Sequence, residues 1–346
     1  MGVKILHSAD WHLDTPFGGF SPEQREYLHQ KMASIPRLIA ETVRREDCDL
    51  VLLAGDLFDG IPSRDTVENV KAALAECGVP VFVSPGNHDP LGPGSPWLEE
   101  NWPENVHIFT GGLESLAIPE LNCRVWGAGY RSMDCPALLE GFRAEGAETY
   151  QIGILHGDPT TANSPNCPVT AAQVRQSDLT YLALGHIHKA GSFQAGETLC
   201  GWPGCPMGRG WDELGDKGVY LVTLAEGANI RPISLDLPRF FRLEGEWDAL
   251  EAMVPGAENA DFYQITLTGS TETDVSALLE KLDKFPNLTL KDKREAPLDP
   301  WADCGEDSLR GEYFRKLREK CRQDPNAQLA AEISRKLLEG REVRLP

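Results

Sequence analysis

Five segments of the chain share one pattern, a short apolar run that ends in a polar turn, usually with glycine. They read VKILHSADWH, LVLLAGDLFD, VPVFVSPGNHD, IGILHGD and YLALGHIHK. Apolar runs of this length, separated by amphipathic stretches, are typical of the buried strands of a layered α/β fold. Because the ends of successive strands gather on one rim of a sheet, we expect the polar residues of these turns to form one site.

The stretches between the strands predict helices. Ser21 and Pro22 suit an N-cap and a first helical position, and Pro36 is expected to kink or split the helix that follows. Gly78 is the expected C-cap of a second helix. The apolar residues of the two helices are Leu28, Met32, Ile35, Ile39 and Val43 in the first, and Val67, Val70, Leu74 and Cys77 in the second. We interpret both stripes as core packing, with a homodimer surface as the alternative for one of them.

Composition changes along the chain predict three parts. Residues 90–105 are rich in Pro and Gly and predict a loop rather than a regular element. A large α/β domain is expected over 1–238, a small α+β capping unit over 239–300 and a helical segment over 301–346. In the last part the apolar residues repeat at helical spacing on both sides of a break at Asp324 and Pro325: Leu309, Tyr313, Leu317, Cys321, then Leu329, Ile333, Leu337.

The turns after the strands carry side chains that bind metals. Asp10 and His12 lie two apart at a strand end, so alternation predicts that both face one way, and His186 and His188 repeat this spacing. Asp56 offers two carboxylate oxygens and suits a bridge between two cations, whereas Asn87 offers an amide oxygen and His156 an imidazole. His7 has the opposite parity and is assigned to packing.

The motifs DxH, GDxxD, GNHD, HGD and GHxH occur here in that order, and they resemble the pattern of the calcineurin-like phosphoesterases. The resemblance covers about the first 235 residues and implies a four-layer α/β/β/α sandwich with two metals at its rim. It places Asp10, His12, Asp56 and His188 on one ion, and Asp56, Asn87, His156 and His186 on the other. Oxygen and nitrogen ligands without thiolate fit Mn²⁺, which we expect first, or Fe²⁺ or Zn²⁺.

The resemblance also implies a mechanism, in-line attack on phosphorus by a metal-activated hydroxide. His88, beside a ligand but not counted as one, is the expected acid for the leaving oxygen, and Asp59 is expected to orient it. Asp89 is expected to stabilise the turn. Two divalent ions, two carboxylates, a hydroxide and a diester monoanion sum to zero charge, which favours a phosphodiester substrate.

Two further stretches, HSADWHLDTPF and GWPGCPMGRGWDELGDKGVYLVTL, resemble the SbcD and YhaO group of DNA repair exonuclease subunits. That likeness implies a DNA exonuclease or endonuclease, with the unit over 239–300 helping to present DNA. It also implies an SbcC-type ABC ATPase as partner, docked on the C-terminal helices.

The net charge of −20 opposes DNA binding, because affinity for DNA comes largely from Lys and Arg. From Arg310 to the end there are ten basic and six acidic residues, a local +4 that suits either a docking surface or an ordinary solvated face. A small-molecule phosphodiesterase acting on cyclic nucleotides or similar diesters is therefore the alternative enzyme. A non-catalytic scaffold subunit is the alternative from another class, and the complete ligand set argues against it.

The nine cysteines lack the paired spacing of a disulfide framework and are expected to be reduced thiols. The N-terminus enters a strand-like run directly, and no apolar stretch approaches membrane-spanning length. The sequence therefore predicts a cytoplasmic protein without a membrane segment.

Overall fold

The computed structural model describes residues 2–253, 260–276, 278–280, 285–324, 326–340 and 343. In chain order its strands are β1 Val3–Ser8, β2 Leu50–Leu53, β3 Val81–Val83, β4 Val106–Ile108, β5 Glu114–Ile118, β6 Cys123–Gly127, β7 Tyr150–His156, β8 Tyr181–Gly185, β9 Gly191–Ala195, β10 Thr198–Trp202, β11 Val219–Leu224, β12 Ala228–Ile233, β13 Phe240–Gly245, β14 Phe262–Leu267 and β15 Leu288–Asp292. Its helices are α1 Pro22–Ala33, α2 Ile35–Glu46, α3 Arg64–Glu76, α4 Pro96–Glu99, α5 Ala171–Gln176, α6 Trp247–Leu250, α7 Leu309–Lys320 and α8 Asn326–Leu338. Short 3₁₀ turns span Pro119–Leu121, Glu251–Met253 and Ala302–Gly305.

Two six-stranded sheets make up most of the strand content. The first has the order β12-β11-β1-β2-β3-β4 and the second the order β5-β6-β7-β8-β10-β9, while β13, β14 and β15 form a third, smaller sheet. Strands β1 to β4 run parallel in the first sheet, and β6, β7 and β8 run parallel in the second. The carboxyl ends of parallel neighbours share one edge, so each large sheet presents its post-strand turns together.

Alternating side chains build the layers between and outside the two large sheets. Leu50 and Leu52 of β2 pack in the core that also contains Ile152 and Ile154 of β7, so this core lies between the sheets. Val51 faces the other way, into a second core with α1, α2 and α3. A third core covers the outer face of the second sheet and includes α5. The chain therefore forms the predicted four-layer α/β/β/α sandwich.

The two predicted helices agree with most of their sequence signals, but one predicted C-cap is displaced by a residue. Ser21 caps α1 with a capping box, its hydroxyl accepting from the Gln24 amide. The helical run is split at Ser34, and Pro36 lies in the first turn of α2, where its missing N–H costs little. The prediction of Gly78 as C-cap was wrong by one residue: Cys77 is the C-cap of α3, and Gly78 follows it with a φ of 67°, a left-handed conformation that glycine adopts readily. The apolar stripes of these helices are buried in the core, as expected.

The segment predicted to be irregular contains one short helix. Most of residues 90–105 is loop, but α4 forms a single turn at Pro96–Glu99 within it. Proline is favoured at the first helical position, which explains why a proline-rich segment can still start a turn of helix. The prediction of no regular element was therefore wrong over these four residues.

The chain divides into two compact units. The first contains the described residues of Met1–Arg242, Glu258–Gln264 and Pro286–Leu288, and the second those of Leu243–Ala257, Ile265–Phe285 and Thr289–Pro346. In the second unit α7 and α8 flank the predicted break, and Asp303 pairs with Arg310 and Arg335. Residues 254–259, 277 and 281–284 of the unit predicted over 239–300 lie outside the described residues, and the three predicted domain ranges stay predictions.

Within the described residues, no helix is long and apolar enough to cross a membrane. The nine cysteines are all free thiols, seven of them buried.

Candidate metal centre

The predicted ligands follow five parallel strands of the two large sheets. Asp10 and His12 follow β1, Asp56 follows β2, and Asn87 with His88 follows β3. From the second sheet, His156 is the last residue of β7, and His186 and His188 follow β8. Because all of these strands end at the same rim, side chains as much as 178 residues apart in sequence become neighbours there.

The backbone at several of these residues is left-handed rather than extended. The φ angles are 54° at Asp10, 47° at His12, 52° at Asp56 and 88° at His186, a region that non-glycine residues seldom occupy. The expectation that Asp10 and His12 face one way because of strand alternation was therefore wrong in its reason. The turns aim these side chains, and backbone strain of this kind is commonly found at functional sites.

Two glycines make room for the ligands. A Cβ on Gly86 would lie 2.2 Å from Asp56 Oδ1, and a Cβ on Gly55 would lie 2.5 Å from His156 Nδ1. Both distances are well inside van der Waals contact, so any larger residue would displace a ligand. The glycines of the GDLFD and PGNHD turns therefore allow the close approach of the two loops.

When the His156 ring is neutral, three acceptor atoms converge at one end of the cluster without a donor between them. The Nδ1–H of His156 donates to the Ala54 carbonyl at 2.9 Å, which leaves Nε2 of the neutral ring with a lone pair. That Nε2 lies 2.9 Å from Asn87 Oδ1 and 3.3 Å from Asp56 Oδ2. A neutral imidazole, an amide oxygen and a carboxylate that face one another are an arrangement that a bound cation satisfies.

At the other end the cluster contains Asp10, His12 and His188, whose ligand atoms lie within 4.8 Å of one another. Asp10 is fully buried, and its Oδ1 accepts from the His186 amide at 2.9 Å. Its Oδ2 is buried and has no hydrogen-bond partner among the described residues. His12 Nε2 and His188 Nε2 are 3.1 Å apart. A buried carboxylate oxygen without a donor is costly, and a cation would remove that cost.

Asp56 lies between the two ends. Its Oδ2 is 3.3 Å from His156 Nε2 and 3.7 Å from His12 Nε2, the geometry expected of a bridging ligand. Although burial opposes its ionisation, the His156 and His12 imidazoles hold the pKa of Asp56 well below its usual range. Burial likewise opposes protonation of His156, but Asp56 raises its pKa to about 9. The cluster thus draws positive charge to this point, and a proton and a metal ion compete for it.

His186 and His188, although two apart, go to different parts of the cluster. The His186 ring lies 5.2 Å from the His156 ring, whereas the His188 ring lies 4.9 Å from the His12 ring. This separation agrees with the assignment of the two histidines to adjacent ions. His186 belongs to none of the groups whose ligand atoms lie within 4.8 Å of one another, so its assignment to a metal stays a prediction.

His88 and Asp59 form a pair at the edge of the cluster. His88 Nδ1 lies 3.0 Å from Asp59 Oδ1, and 42% of the His88 side chain is exposed, whereas His12 and Asp56 are buried. The nearby His12 imidazole holds the pKa of Asp59 below its usual range, and Thr15 also donates to this carboxylate. An ionised Asp59 accepts from Nδ1–H of His88. A ring nitrogen of His88 also groups with His12 and Asp56, so its position suits either a ligand or an acid.

Asp89 and His7 have the structural surroundings expected of them. Asp89 accepts from the backbone amides of Asp56, Leu57, Phe58 and Gly86, which ties the two ligand loops together. Burial and the nearby Asp56 raise its pKa to about 6. His7 is buried between Tyr181 Oη, at 2.8 Å, and the Leu184 carbonyl, at 3.1 Å.

Two residues beside the cluster were missed by the sequence analysis. Glu213 Oε1 accepts from His188 Nδ1 at 2.6 Å, which leaves Nε2 of that ring free to bind a cation. Arg209 donates to the same carboxylate through Nε and Nη2. Both lie in the GRGWDEL stretch that carried a family resemblance, but nothing in the spacing connects that stretch with His188.

The chain belongs to the calcineurin-like phosphoesterase family, which it matches over residues 3–190. It is 36% identical over 248 residues to the uncharacterized metallophosphoesterase YhaO of Bacillus subtilis (strain 168). That match covers 65% of this chain and 58% of the relative, so the chain spans less than two thirds of that protein's length.

Among solved structures, the chain is similar to a dimetal phosphatase from Danio rerio, with 15% identity and a TM-score of 0.45. The match covers 67% of this chain and 97% of that one. It is also similar to a purple acid phosphatase from yellow lupin (Lupinus luteus) seeds, with 14% identity and a TM-score of 0.42, over 67% and 52% of the two chains.

Proposed function

We propose that this chain is a dinuclear metal-dependent phosphodiesterase and, more narrowly, an SbcD-like DNA nuclease subunit. The observation that carries the first part is the convergence of His156 Nε2, Asn87 Oδ1 and Asp56 Oδ2, which are three acceptors with no donor between them whenever the His156 ring is neutral. The unpartnered Asp10 Oδ2 supports a second cation nearby. Asp10, His12, Asp56 and His188 would hold one ion, and Asp56, Asn87, His156 and His186 the other.

Two divalent cations bound there would supply Lewis acidity at phosphorus and an activated water for in-line attack. The chain's own residues do the rest. Asp59 accepts from His88 Nδ1–H and so orients the ring, and the exposed position of His88 suits proton donation to a leaving oxygen. His188 is oriented for a cation by Glu213, and His156 by the Ala54 carbonyl.

The nuclease part of the proposal has its support in the sequence. HSADWHLDTPF and GWPGCPMGRGWDELGDKGVYLVTL resemble the SbcD and YhaO group. We propose that an SbcC-type ABC ATPase docks on α7 and α8 and supplies the basic surface that a chain with a net charge of −20 lacks. That same charge favours the alternative, a small-molecule phosphodiesterase, since a cyclic nucleotide needs no extended basic surface.

The test of the metal-dependent activity uses the purified full chain and bis(4-nitrophenyl) phosphate. Hydrolysis should stop on chelation and return with Mn²⁺, with two ions bound per chain at saturation. Metal analysis that finds at most one tightly bound Mn²⁺ would argue against the bridging role of Asp56.

The substrate class is tested by assaying linear duplex DNA and a cyclic nucleotide with Mn²⁺, with and without a coiled-coil ABC ATPase from the same genome. The nuclease proposal expects DNA cleavage that increases with the ATPase. Efficient cleavage of the cyclic nucleotide by the free chain, with no DNA cleavage in either condition, would support the alternative instead.

A further inference from the structure

The pair Arg209 and Glu213 is placed beside the metal cluster in a way that positioning of His188 alone does not explain. Glu213 is buried, with 7% of the residue exposed, and it accepts from His188 Nδ1, from Arg209 Nε and Nη2, and from the Arg209 backbone amide. One carboxylate thus fixes both an imidazole and a guanidinium. A glutamate that served only His188 would not need an arginine as a second partner.

The Glu213 carboxylate does not occupy all of the hydrogen-bond donors of the Arg209 guanidinium. Nε and Nη2 of Arg209 reach Glu213 at 3.2 and 2.7 Å, but no described residue accepts from Nη1. Nη2 also lies 3.0 Å from His188 Nδ1, and because both atoms carry hydrogen when the ring donates to Glu213, that contact adds no hydrogen bond. With 21% of its side chain exposed, Arg209 keeps two N–H groups for another acceptor.

Arg209 lies within electrostatic reach of the cluster itself. Arg209 Nη2 lies 3.0 Å from His188 Nδ1, and His188 Nε2 lies 3.1 Å from His12 Nε2. The other ring nitrogen of His12 lies 3.7 Å from Asp59 Oδ1. The guanidinium is thus next to His188 and near the His12 and Asp59 side of the cluster, where His88 also lies.

We infer that Arg209 binds a phosphate oxygen of the substrate through Nη1, with Glu213 as the residue that positions it. This inference rests on the proposed phosphodiesterase activity and adds a residue that contacts substrate. A guanidinium held by a carboxylate presents its remaining N–H groups in a fixed direction, and a phosphate diester is an acceptor that matches them. In a chain with a net charge of −20, a fixed positive charge beside the site also counters the repulsion of an anionic substrate.

The matched control is Arg124, another partly exposed arginine that pairs with a glutamate through Nε and Nη2 but contacts none of the cluster residues. It donates to Glu148 through Nε at 3.0 Å and Nη2 at 2.8 Å, and 26% of its side chain is exposed. Its Nη1 donates to Ser115, so this nitrogen already has an acceptor. Arg124→Gln therefore reports what the loss of a half-buried, carboxylate-paired arginine does by itself.

The experiment compares Arg209→Gln, Arg209→Lys and Arg124→Gln, after thermal unfolding has shown that each is folded. Calorimetry measures Mn²⁺ binding to the metal-free chain and then inorganic phosphate binding to the Mn²⁺-loaded chain, and KM and kcat are measured with bis(4-nitrophenyl) phosphate. Arg209→Gln should raise the phosphate Kd and the diester KM roughly 10- to 100-fold, the scale of a lost charged hydrogen bond. Its Mn²⁺ affinity should stay within about threefold of the wild type, a shift too small for a lost ligand.

Arg209→Lys should recover part of the phosphate affinity, because lysine keeps the positive charge but lacks the planar set of N–H donors of arginine. Arg124→Gln should change none of these values. Glu213→Gln should weaken both Mn²⁺ and phosphate binding, because this carboxylate contacts both His188 and Arg209. Unchanged phosphate Kd and KM in Arg209→Gln would overturn the inference, as would a loss of Mn²⁺ affinity as large as the loss of phosphate affinity. A wild-type chain that binds Mn²⁺ and phosphate but hydrolyses no diester would contradict the proposed function alone.

Discussion

At the scale of single residues, the proposed ligands and the proposed general acid differ in burial. Asp56 is buried beside the His12 and His156 imidazoles, whereas 42% of the His88 side chain is exposed and its Nδ1 contacts Asp59. This difference in burial predicts that substitutions of Asp56 and of His88 have different effects on metal binding and on kcat.

We expect His88→Ala to retain both metals and to lower kcat roughly 10²- to 10⁴-fold, the usual scale of a lost general acid. Asp56→Ala should instead lose metal, because it removes the carboxylate that faces both His12 and His156. Metal content by elemental analysis and kcat with an aryl phosphodiester are the two measurements. An empty site in His88→Ala would mean that His88 is a ligand.

His7 predicts a pH effect on stability that is separate from the metal cluster. Burial lowers its pKa to about 3, against the reference value of 6.5. Below pH 6.5 the unfolded chain therefore binds a proton that the folded chain does not, so the stability from neutral His7 is complete above 6.5 and falls as pH decreases toward 3.

His7→Gln should remove this contribution. The difference in unfolding free energy between wild type and variant should be constant above about pH 7. Below pH 6 it should change by up to about 1.4 kcal/mol per pH unit, because the wild type loses stability relative to the variant as the pH falls. Urea unfolding of the metal-free chains between pH 5 and 8 measures it. A difference that does not vary over this range would contradict the neutral assignment.

At the scale of elements, the site depends on the hydrogen bonds that join the turns after the strands to one another. The turn after β3 contains Asp89, whose two oxygens accept from amides of the turn after β2 as well as from Gly86. This one carboxylate therefore joins the loop of Asp56 to the loop of Asn87.

Asp89→Ala should leave these buried amides without acceptors and destabilise the chain by roughly 3 kcal/mol or more, with loss of metal affinity. The control is Asp299→Ala, which should cost about 1 kcal/mol or less, because among the described residues the Asp299 carboxylate accepts from the Trp301 amide alone, in an exposed turn. Chemical denaturation and Mn²⁺ titration measure both. Equal losses in the two variants would show that Asp89 has no special part in fastening the loops.

At the scale of the whole molecule, charge and exposed apolar surface are the features that bear on partners. The C-terminal helices pack through Phe314, Ala327 and Ala331, whereas Leu309 and Leu337 of the predicted docking stripe are 88% and 65% exposed. Exposed leucines on a locally basic segment agree with the proposed ATPase dock, because single apolar residues at the surface cost the free chain little.

Leu309→Glu together with Leu337→Glu should weaken binding of the ATPase while leaving Mn²⁺-dependent hydrolysis of bis(4-nitrophenyl) phosphate unchanged. Ile61→Glu is the control, since Ile61 is 81% exposed but lies outside these helices. Analytical ultracentrifugation of the mixture measures binding. If the double variant kept full affinity for the ATPase, α7 and α8 would not be the docking surface.

The sequence alone was enough for the fold class, for the start of the first helix at Ser21, for its split beside Pro36 and for the residue types that meet in the candidate cluster, because these depend on local periodicity, capping and short motifs. It was not enough to predict the directions in which the candidate ligand side chains point. Asp10 and His12 converge through left-handed turns, not through strand alternation, and turn conformation depends on the packing of neighbouring loops. Glu213 and Arg209 lie 25 and 21 positions from His188, and only the tertiary structure brings them to it. No sequence period connects residues whose contact is made by the folding of a loop onto a strand end.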